Sequence, residues 1–286
     1  MDAHRQDKRR TLRNLAIFTI VTVGVGWLGI GLNRMMGSTD PQESLGMLLW
    51  LVTPLAVSLL LRAFAGDGWR DLGIKPAFAS NLGWYALSIL VYPVCVALIL
   101  LIGGAFGATS FPGFSSGGVG LFLQLVGASF VANLLKNVFE EFAWRGYLTP
   151  KFRLLGLPDL ANHALVGVVW AAWHLPYWTG LLDQATIQSF TSLSLPVFIL
   201  LGAVGLVASA VLYGELKLAT GSVWPPFLLH TVGNALTLTL LLEDFVAFKG
   251  SGEAIFTPGV GGFLGTVLFA LVGLAAYLRR SRRASL

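Results

Sequence analysis

The sequence predicts an all-α protein that crosses a lipid bilayer about eight times, and three observations predict it. Hydrophobic residues make up 55% of the 286 residues and charged ones 12%. The mean hydropathy of +0.75 lies outside the soluble globular range. The apolar residues fall into segments of roughly 17–25, the length that spans a hydrocarbon core as helix. The basic residues, finally, gather in the two tails and in alternate links, which is the pattern of membrane orientation rather than of nucleic-acid binding.

The first segment, near Leu15–Leu32, follows the basic tail that ends at Arg13. It is too long for the apolar core of a signal peptide and lacks a small-residue cleavage site, so it reads as a retained anchor. Its Gly24, Gly26, Gly29 and Gly31 lie at spacings that let helices approach closely, as do Gly202 and Gly205 further on. The second and third segments, near Gly46–Phe64 and Asn81–Gly104, contain Pro54 and Pro93, read as kinks. The third also holds Cys95, the one cysteine, read as a packed thiol. The fourth runs near Val119–Glu141 and continues as helix to about Leu148. The fifth, sixth, seventh and eighth lie near Asn162–Trp178, Pro196–Tyr213, Trp224–Leu242 and Gly261–Leu278. No link is long enough for a soluble domain, so residues 1–286 read as a single membrane domain whose polar core is about 133–237.

Charge supports the even count. Arg5, Lys8, Arg9, Arg10 and Arg13 stand before the first segment, and Arg279, Arg280, Arg282 and Arg283 after the last. Arg62, Arg70 and Lys75 occupy the second link, Arg145, Lys151 and Arg153 the fourth, and Lys217 the sixth. The odd links carry only Arg34 and Lys249. Both termini and the even links are therefore expected in the cytoplasm of a cell-membrane protein. Asp67, Asp71, Glu243, Asp244 and Glu253 fall in links and read as solvated charges.

Against this background the ionisable residues within spans are candidates for function, because a charge in hydrocarbon costs several kcal/mol. Glu141 stands four residues before Arg145, on one helix face, and the two can pair. Glu140 is rotated by about 100° and is not claimed by that pair. Lys136, four residues before Glu140, can occupy lone pairs that a base would need, and whether it does is open. Asn133 and Asn137 extend the polar stripe. His174 follows Trp170 by one turn, and His230 and Asn234 share a face of the seventh segment. Helical rise puts Glu140 and His230 about 10 Å, and His174 about 18 Å, from the inner ends of their helices, so a shared cavity opening to the cytoplasm is expected.

A glutamate, two histidines and an asparagine fit attack of water on an amide. The carboxylate takes the proton from water with help from a histidine, and imidazole N–H and amide donors stabilise the oxyanion. No metal or cofactor is required, although His174, His230 and a glutamate also satisfy the ligand count of a zinc site. Ser209 is a further nucleophile candidate for His230. The sequence contains no His-Glu-x-x-His.

The motifs resemble those of the CaaX-protease and bacteriocin-processing family, intramembrane glutamic endopeptidases that include the type II CaaX prenyl endopeptidases. Glu140-Glu141-Phe142-Ala143-Trp144-Arg145 matches Glu-Glu-x-x-x-Arg. Trp170-Ala171-Ala172-Trp173-His174 stands where the family usually has Phe-x-x-x-His, and His230 with Asn234 meets His-x-x-x-Asn. The resemblance implies eight helices and a metal-independent endopeptidase. Glu140 and His174 would activate water, His230 and Asn234 would form the oxyanion hole, and Glu141 and Arg145 would support them. The expected partners are the bilayer and a membrane-embedded or lipid-anchored protein substrate. The competing readings are a non-enzymatic bacteriocin-immunity protein and a proton-coupled transporter using Glu140.

Overall fold

The computed structural model describes residues 2–38, 40 and 43–284. Met1 and the side chains of Arg5 and Arg283, part of the basic tails, lie outside what is described. The long elements follow the apolar segments. They are α1 (Asp2–Met36), α2 (Leu45–Phe64), α3 (Phe78–Ala105), α4 (Gly118–Ala143), α5 (Thr149–Leu154), α6 (Asp159–Pro176), α7 (Gln184–Phe190), α8 (Leu195–Thr220), α9 (Trp224–Leu242), α10 (Gly252–Phe256) and α11 (Phe263–Ala284). Strands β1 (Thr109–Ser110) and β2 (Ala247–Phe248) form one short antiparallel pair.

Among the described residues seven helices are long and apolar enough to cross a membrane: α1, α2, α3, α4 with its continuation, α8, α9 and α11. Helix α6, 18 residues long and bearing Asn162, His163 and His174, is not among them. The fourth segment continues past Leu148, because a π-helical turn at Trp144–Leu148 joins α4 to α5 and carries the helix to Leu154. Such turns insert one residue into the helical ladder and are frequent at functional sites. Pro54 and Pro93 sit inside helices, and Pro196 starts α8.

Small residues and caps set the packing of α1 on α2. The Asn33 amide donates to Ser44 Oγ at 2.7 Å, and Asn33 Oδ1 accepts from Gly46 N at 3.0 Å. Ser44 in turn caps α2 by accepting from Met47 N at 3.1 Å. A methyl group on Gly46 would lie 2.4 Å from the Gly29 carbonyl oxygen, so this crossing exists only because both residues lack side chains. Deeper in, the Trp50 indole from α2 stacks on Trp173 of α6 with centroids 3.9 Å apart and donates to the Trp173 carbonyl at 2.8 Å.

The links sort into two groups at opposite ends of the bundle. At one end, Asn14 of α1 donates to Ala65 O of the second link at 3.2 Å. There Arg62 pairs with Asp71 at 2.5 Å and donates to Gly146 O, while Lys151 pairs with Asp71 at 2.8 Å. Lys217 donates to Leu72 O at 2.6 Å, and Val223 N to Gly73 O at 2.9 Å. Gly73, at φ +73°, leaves room that a Cβ would deny to Lys217 and Gly221. Arg280 of α11 joins the same end through Glu215 (2.6 Å) and Asp159 (2.5 Å). At the other end β1 pairs with β2, Lys249 N bonds Ala108 O at 2.9 Å, and Ser192 N bonds Glu253 at 2.9 Å. Helix α6 runs between the two ends, from Asp159 to the fifth link.

These contacts correct three of the charges read as solvated. Asp67 is buried, accepting from the Tyr147 hydroxyl at 2.6 Å. Burial alone would raise the Asp71 carboxyl, but Lys151 and Arg62 beside it hold it below its ordinary value of 3.8. Glu253 is 5% exposed and accepts from Ser192 N and from the hydroxyls of Thr191 and Ser192. In each case a partner distant in sequence replaces water, which charge position along the chain does not reveal. Glu243 and Asp244 are exposed, and Cys95 is buried with a free thiol.

Candidate active site

Three helices bring the polar residues of the spans together around one indole, that of Trp170. Helix α4 presents Glu140 and, on the adjacent face, Glu141. The π-helical turn that follows carries Arg145, and α6 and α9 supply the histidines. Trp170 Nε1 donates to Glu140 Oε2 at 3.0 Å. One turn on, the His174 Nδ1–H donates to the Trp170 carbonyl at 2.9 Å. The His230 ring meets the same indole edge-on with centroids 5.5 Å apart, and the Arg145 guanidinium lies 4.3 Å from the Trp170 ring centroid and 4.5 Å from that of Tyr213. Aromatic faces attract cations electrostatically, so the two rings hold Arg145 in place in a region that excludes water.

Glu140 is 1% exposed, and both of its oxygens are engaged. Lys136 donates to Oε1 at 2.8 Å while Trp170 holds Oε2. The question left open by the sequence is thus answered: the lysine pairs with the glutamate along the helix face. Lys136 and Trp170 thus act on one carboxylate. An ionised carboxylate offers about four acceptor positions, so two remain.

Glu141 does not orient Glu140. Its Oε1 accepts from Arg145 at 3.0 Å and meets His230 Nδ1 at 2.8 Å. It therefore fixes the ring of His230 from the neighbouring helix, with Arg145 supplying the counter-charge. Asn234 is held by the α4 stripe: its amide donates to Asn133 Oδ1 and to Asn137 Oδ1, each at 3.2 Å. Asn137 in turn donates to Thr231 Oγ1 at 3.3 Å. His174 packs between aromatic neighbours, stacked on Trp178 with centroids 5.1 Å apart.

The two rival chemistries find less. Among the described residues no three of His, Cys, Asp and Glu stand close enough to hold a metal ion, so the His174–His230–glutamate ligand set is not assembled. Both histidines spend Nδ1 on partners within the protein. Ser209 is buried and donates its hydroxyl to Leu206 O at 3.1 Å.

A cavity of about 310 Å³ adjoins the cluster at Asn234 and is walled by Tyr177, Trp178, Phe198, Leu238 and Thr257 among others. Its walls come from the end of α6, the start of α8, the end of α9 and the seventh link. That is the end opposite the basic tails, whereas the sequence reading places the opening on the cytoplasmic side. The difference arises because His174 and Tyr177 lie where α6 leads into the fifth link. Lys136 and Glu140 are close enough to Tyr177, on the cavity wall, to interact with it electrostatically.

The residue that sequence reasoning missed is Trp170, noted there only as standing where the family pattern usually has phenylalanine. Its contact with Glu140 depends on the relative rotation and depth of α4 and α6, which the motif does not carry. The only available signal was the position itself, one turn before His174.

No curated protein matches the chain. Residues 119–236 match the family model of the Rce1-like type II CAAX prenyl endopeptidases, and the matched stretch contains Glu140, Glu141, Arg145, His174, His230 and Asn234. Over this stretch, less than half of the chain, the protein is similar to that protease family, and its long apolar helices are those of a multi-pass membrane protein.

Proposed function

We propose that this protein is an intramembrane endopeptidase of the glutamic type, acting on a membrane-associated peptide or protein without a metal or cofactor. The observation that carries the reading is a carboxylate, Glu140, 1% exposed within a span and bonded to the Trp170 indole, whose ring meets His230 and whose backbone carbonyl holds His174. In this reading Glu140 accepts the proton of a water molecule at a lone pair left by Lys136 and Trp170. The water oxygen then adds to the amide carbon. The proton passes to the leaving nitrogen as the tetrahedral intermediate collapses, so nothing is consumed but water.

The hydrogen bonds suggest how the histidines divide the work. His174 uses Nδ1–H on the Trp170 carbonyl, so its neutral form leaves Nε2 as an acceptor that steers the water. His230 uses Nδ1–H on Glu141, so it donates from Nε2 to an oxyanion only as the imidazolium, whose charge Glu141 offsets. Asn234 becomes the second donor of that oxyanion hole only by exchanging one of its bonds to Asn133 and Asn137 for substrate. Glu141 and Arg145 are positioning residues for His230.

In this reading α6 is the eighth crossing, since it connects link groups at opposite ends. The excess of basic residues at the end that holds the tails supports cytoplasmic termini in a cell-membrane protein. The whole chain then forms a single membrane domain, with its site in 133–237. The Lys136–Glu140 pair is also what a purely structural ion pair looks like, and it favours a non-enzymatic immunity protein as the second reading. Comparison of membrane-proteome termini between cells with the wild-type protein and with Glu140→Gln separates the two. Termini that depend on Glu140 and persist in chelator support the protease, and termini unchanged by Glu140→Gln refute it.

A further inference from the structure

Away from the candidate site, the end of the bundle that holds the tails carries a cleft between the start of α3 and the end of α11. It encloses about 410 Å³, within the range of ligand pockets. One wall runs along α3 from Ser80 to Leu90, and Arg279 of α11 faces it. The two helices meet deeper in the bundle, where Tyr92 packs on Phe269 with ring centroids 4.6 Å apart. Toward the end they part, and a Cβ added to the exposed Gly83 would find nothing within 4 Å. The α3 wall is roughly 15 Å long at helical rise and changes character along that length. Its inner part is Leu87 and Leu90, and the exposed Leu90 begins a stripe that Val94, Leu98 and Leu101 continue at helical spacing, all of them exposed. Its outer part is polar. There the Arg279 guanidinium lies 5.7 Å from the Trp84 ring centroid. The nearby carboxylates of Glu215 and Asp159 are taken by Arg280, and among the described residues Arg279 has no carboxylate partner. The hydrogens of Ser80 Oγ and of the Asn81 amide are already given, to Ala77 O and to Ser80. The donors at this mouth are therefore those of Arg279, whose planar fork of N–H groups suits phosphate.

We propose that this cleft binds one anionic glycerophospholipid of the adjoining leaflet, its phosphate on Arg279 and one acyl chain along Leu87 and Leu90. The occupant must be anionic at the mouth and apolar below it, and a free phosphate would use only the first half of the space. The excess of basic residues at this end supports a cytoplasmic position, the side on which membranes present anionic headgroups to basic pockets between helices. Neither α3 nor α11 supplies a residue of the candidate site, so the binding does not depend on the protease reading.

Native mass spectrometry of the full-length protein released from detergent reads the binding directly. The protein is titrated with dioleoylphosphatidylglycerol and with dioleoylphosphatidylcholine, which share their chains and differ in net charge. One phosphatidylglycerol should bind about fivefold more tightly than phosphatidylcholine, the size expected of one arginine beside an anionic headgroup. Arg279→Gln should bring that ratio near one. Arg70→Gln, which removes an exposed charge from the second link at the same end, should leave it unchanged. Gly83→Trp puts a ring into the open side of the cleft and should weaken both lipids by about tenfold, the loss of two buried methylenes. Gel filtration checks the fold of each variant, and Gly83→Trp decides alone if Arg279→Gln does not fold. Equal affinity of the wild-type protein for the two lipids overturns the proposal. So does a preference that survives Arg279→Gln, or one that falls as much with Arg70→Gln, the result for diffuse surface charge. Lipid binding unchanged by Gly83→Trp places the lipid elsewhere and overturns it as well. Inorganic phosphate that displaces phosphatidylglycerol at equal concentration does the same, because the chain would then contribute nothing.

Discussion

Replacing Trp170 by phenylalanine removes the N–H that Glu140 accepts and leaves an aromatic ring in place, although the smaller ring also vacates some buried volume. In the native protein Trp170 Nε1 donates to Glu140 Oε2 at 3.0 Å. A hydrogen bond to a charged group contributes about 1.5–3 kcal/mol. Phenylalanine, the residue usual in the family pattern, keeps a ring beneath Arg145, now 4.3 Å from the indole centroid, and the loss of cation–π attraction there is below about 1 kcal/mol. The Trp170 carbonyl that anchors His174 is untouched. If the indole aligns Glu140 with the attacking water, most of the lost energy appears in the transition state, and each 1.36 kcal/mol is tenfold in rate. Trp170→Phe should then lower kcat by about ten- to a hundredfold while leaving KM near its native value. The assay is cleavage in proteoliposomes of a substrate identified by terminal profiling, with thermal unfolding followed in parallel. An unchanged or increased kcat in a folded variant refutes the alignment, and a loss confined to KM transfers Trp170 to substrate binding.

Three further outcomes are expected. Glu141→Gln leaves Arg145 buried without its carboxylate and loosens His230, a change that costs about 3–5 kcal/mol for a broken buried pair. It should lower the unfolding temperature in detergent more than Glu140→Gln does, and equal shifts would refute the assignment of Glu141 as scaffold. Asp71 carries a carboxyl held below 3.8 in the folded protein, so its stabilisation is present above the ordinary carboxylate range and disappears as pH falls through the folded value. Because Asp71 is partly exposed, screening limits it to about 1 kcal/mol or less. Unfolding temperature measured against pH should fall less steeply below pH 4 in Asp71→Asn than in wild type, and identical acid limbs would refute the pairing. Gly46→Val forces α1 from α2 at a contact where a Cβ already falls 2.4 Å from Gly29 O, an overpacking cost of about 1–3 kcal/mol. A variant as stable as wild type would show that the two helices have room to part.

Some of this architecture could be read locally. A run such as Asn81–Gly104 is apolar whichever helix packs beside it, so each expected segment lies largely in helix, although α1 begins at Asp2, well before Leu15, and α8 runs on past Tyr213 to Thr220. The Glu141–Arg145 pair was legible for the same reason, being four residues apart on one helix. Lys136 was visible as a partner for Glu140, although choosing between pairing and release needed coordinates. The links were harder. Asp67, Asp71 and Glu253 look solvated in sequence and are bound in the fold, because their partners Tyr147, Lys151 and Ser192 come from other elements.

What the chain determined by itself is the set of apolar segments, the charge asymmetry of its two ends and the three motifs, all properties of residues close together in sequence. Tertiary structure decided which face of each helix turns inward. In a span that is apolar all round, periodicity carries no such information. That rotation sets the Trp170 indole between Glu140, His230 and Arg145, assigns Glu141 to His230 rather than to Glu140, and turns Asn234 toward a cavity at the end away from the tails. The two adjacent carboxylates of the motif differ in their partners because α6 and α9 approach α4 from different sides.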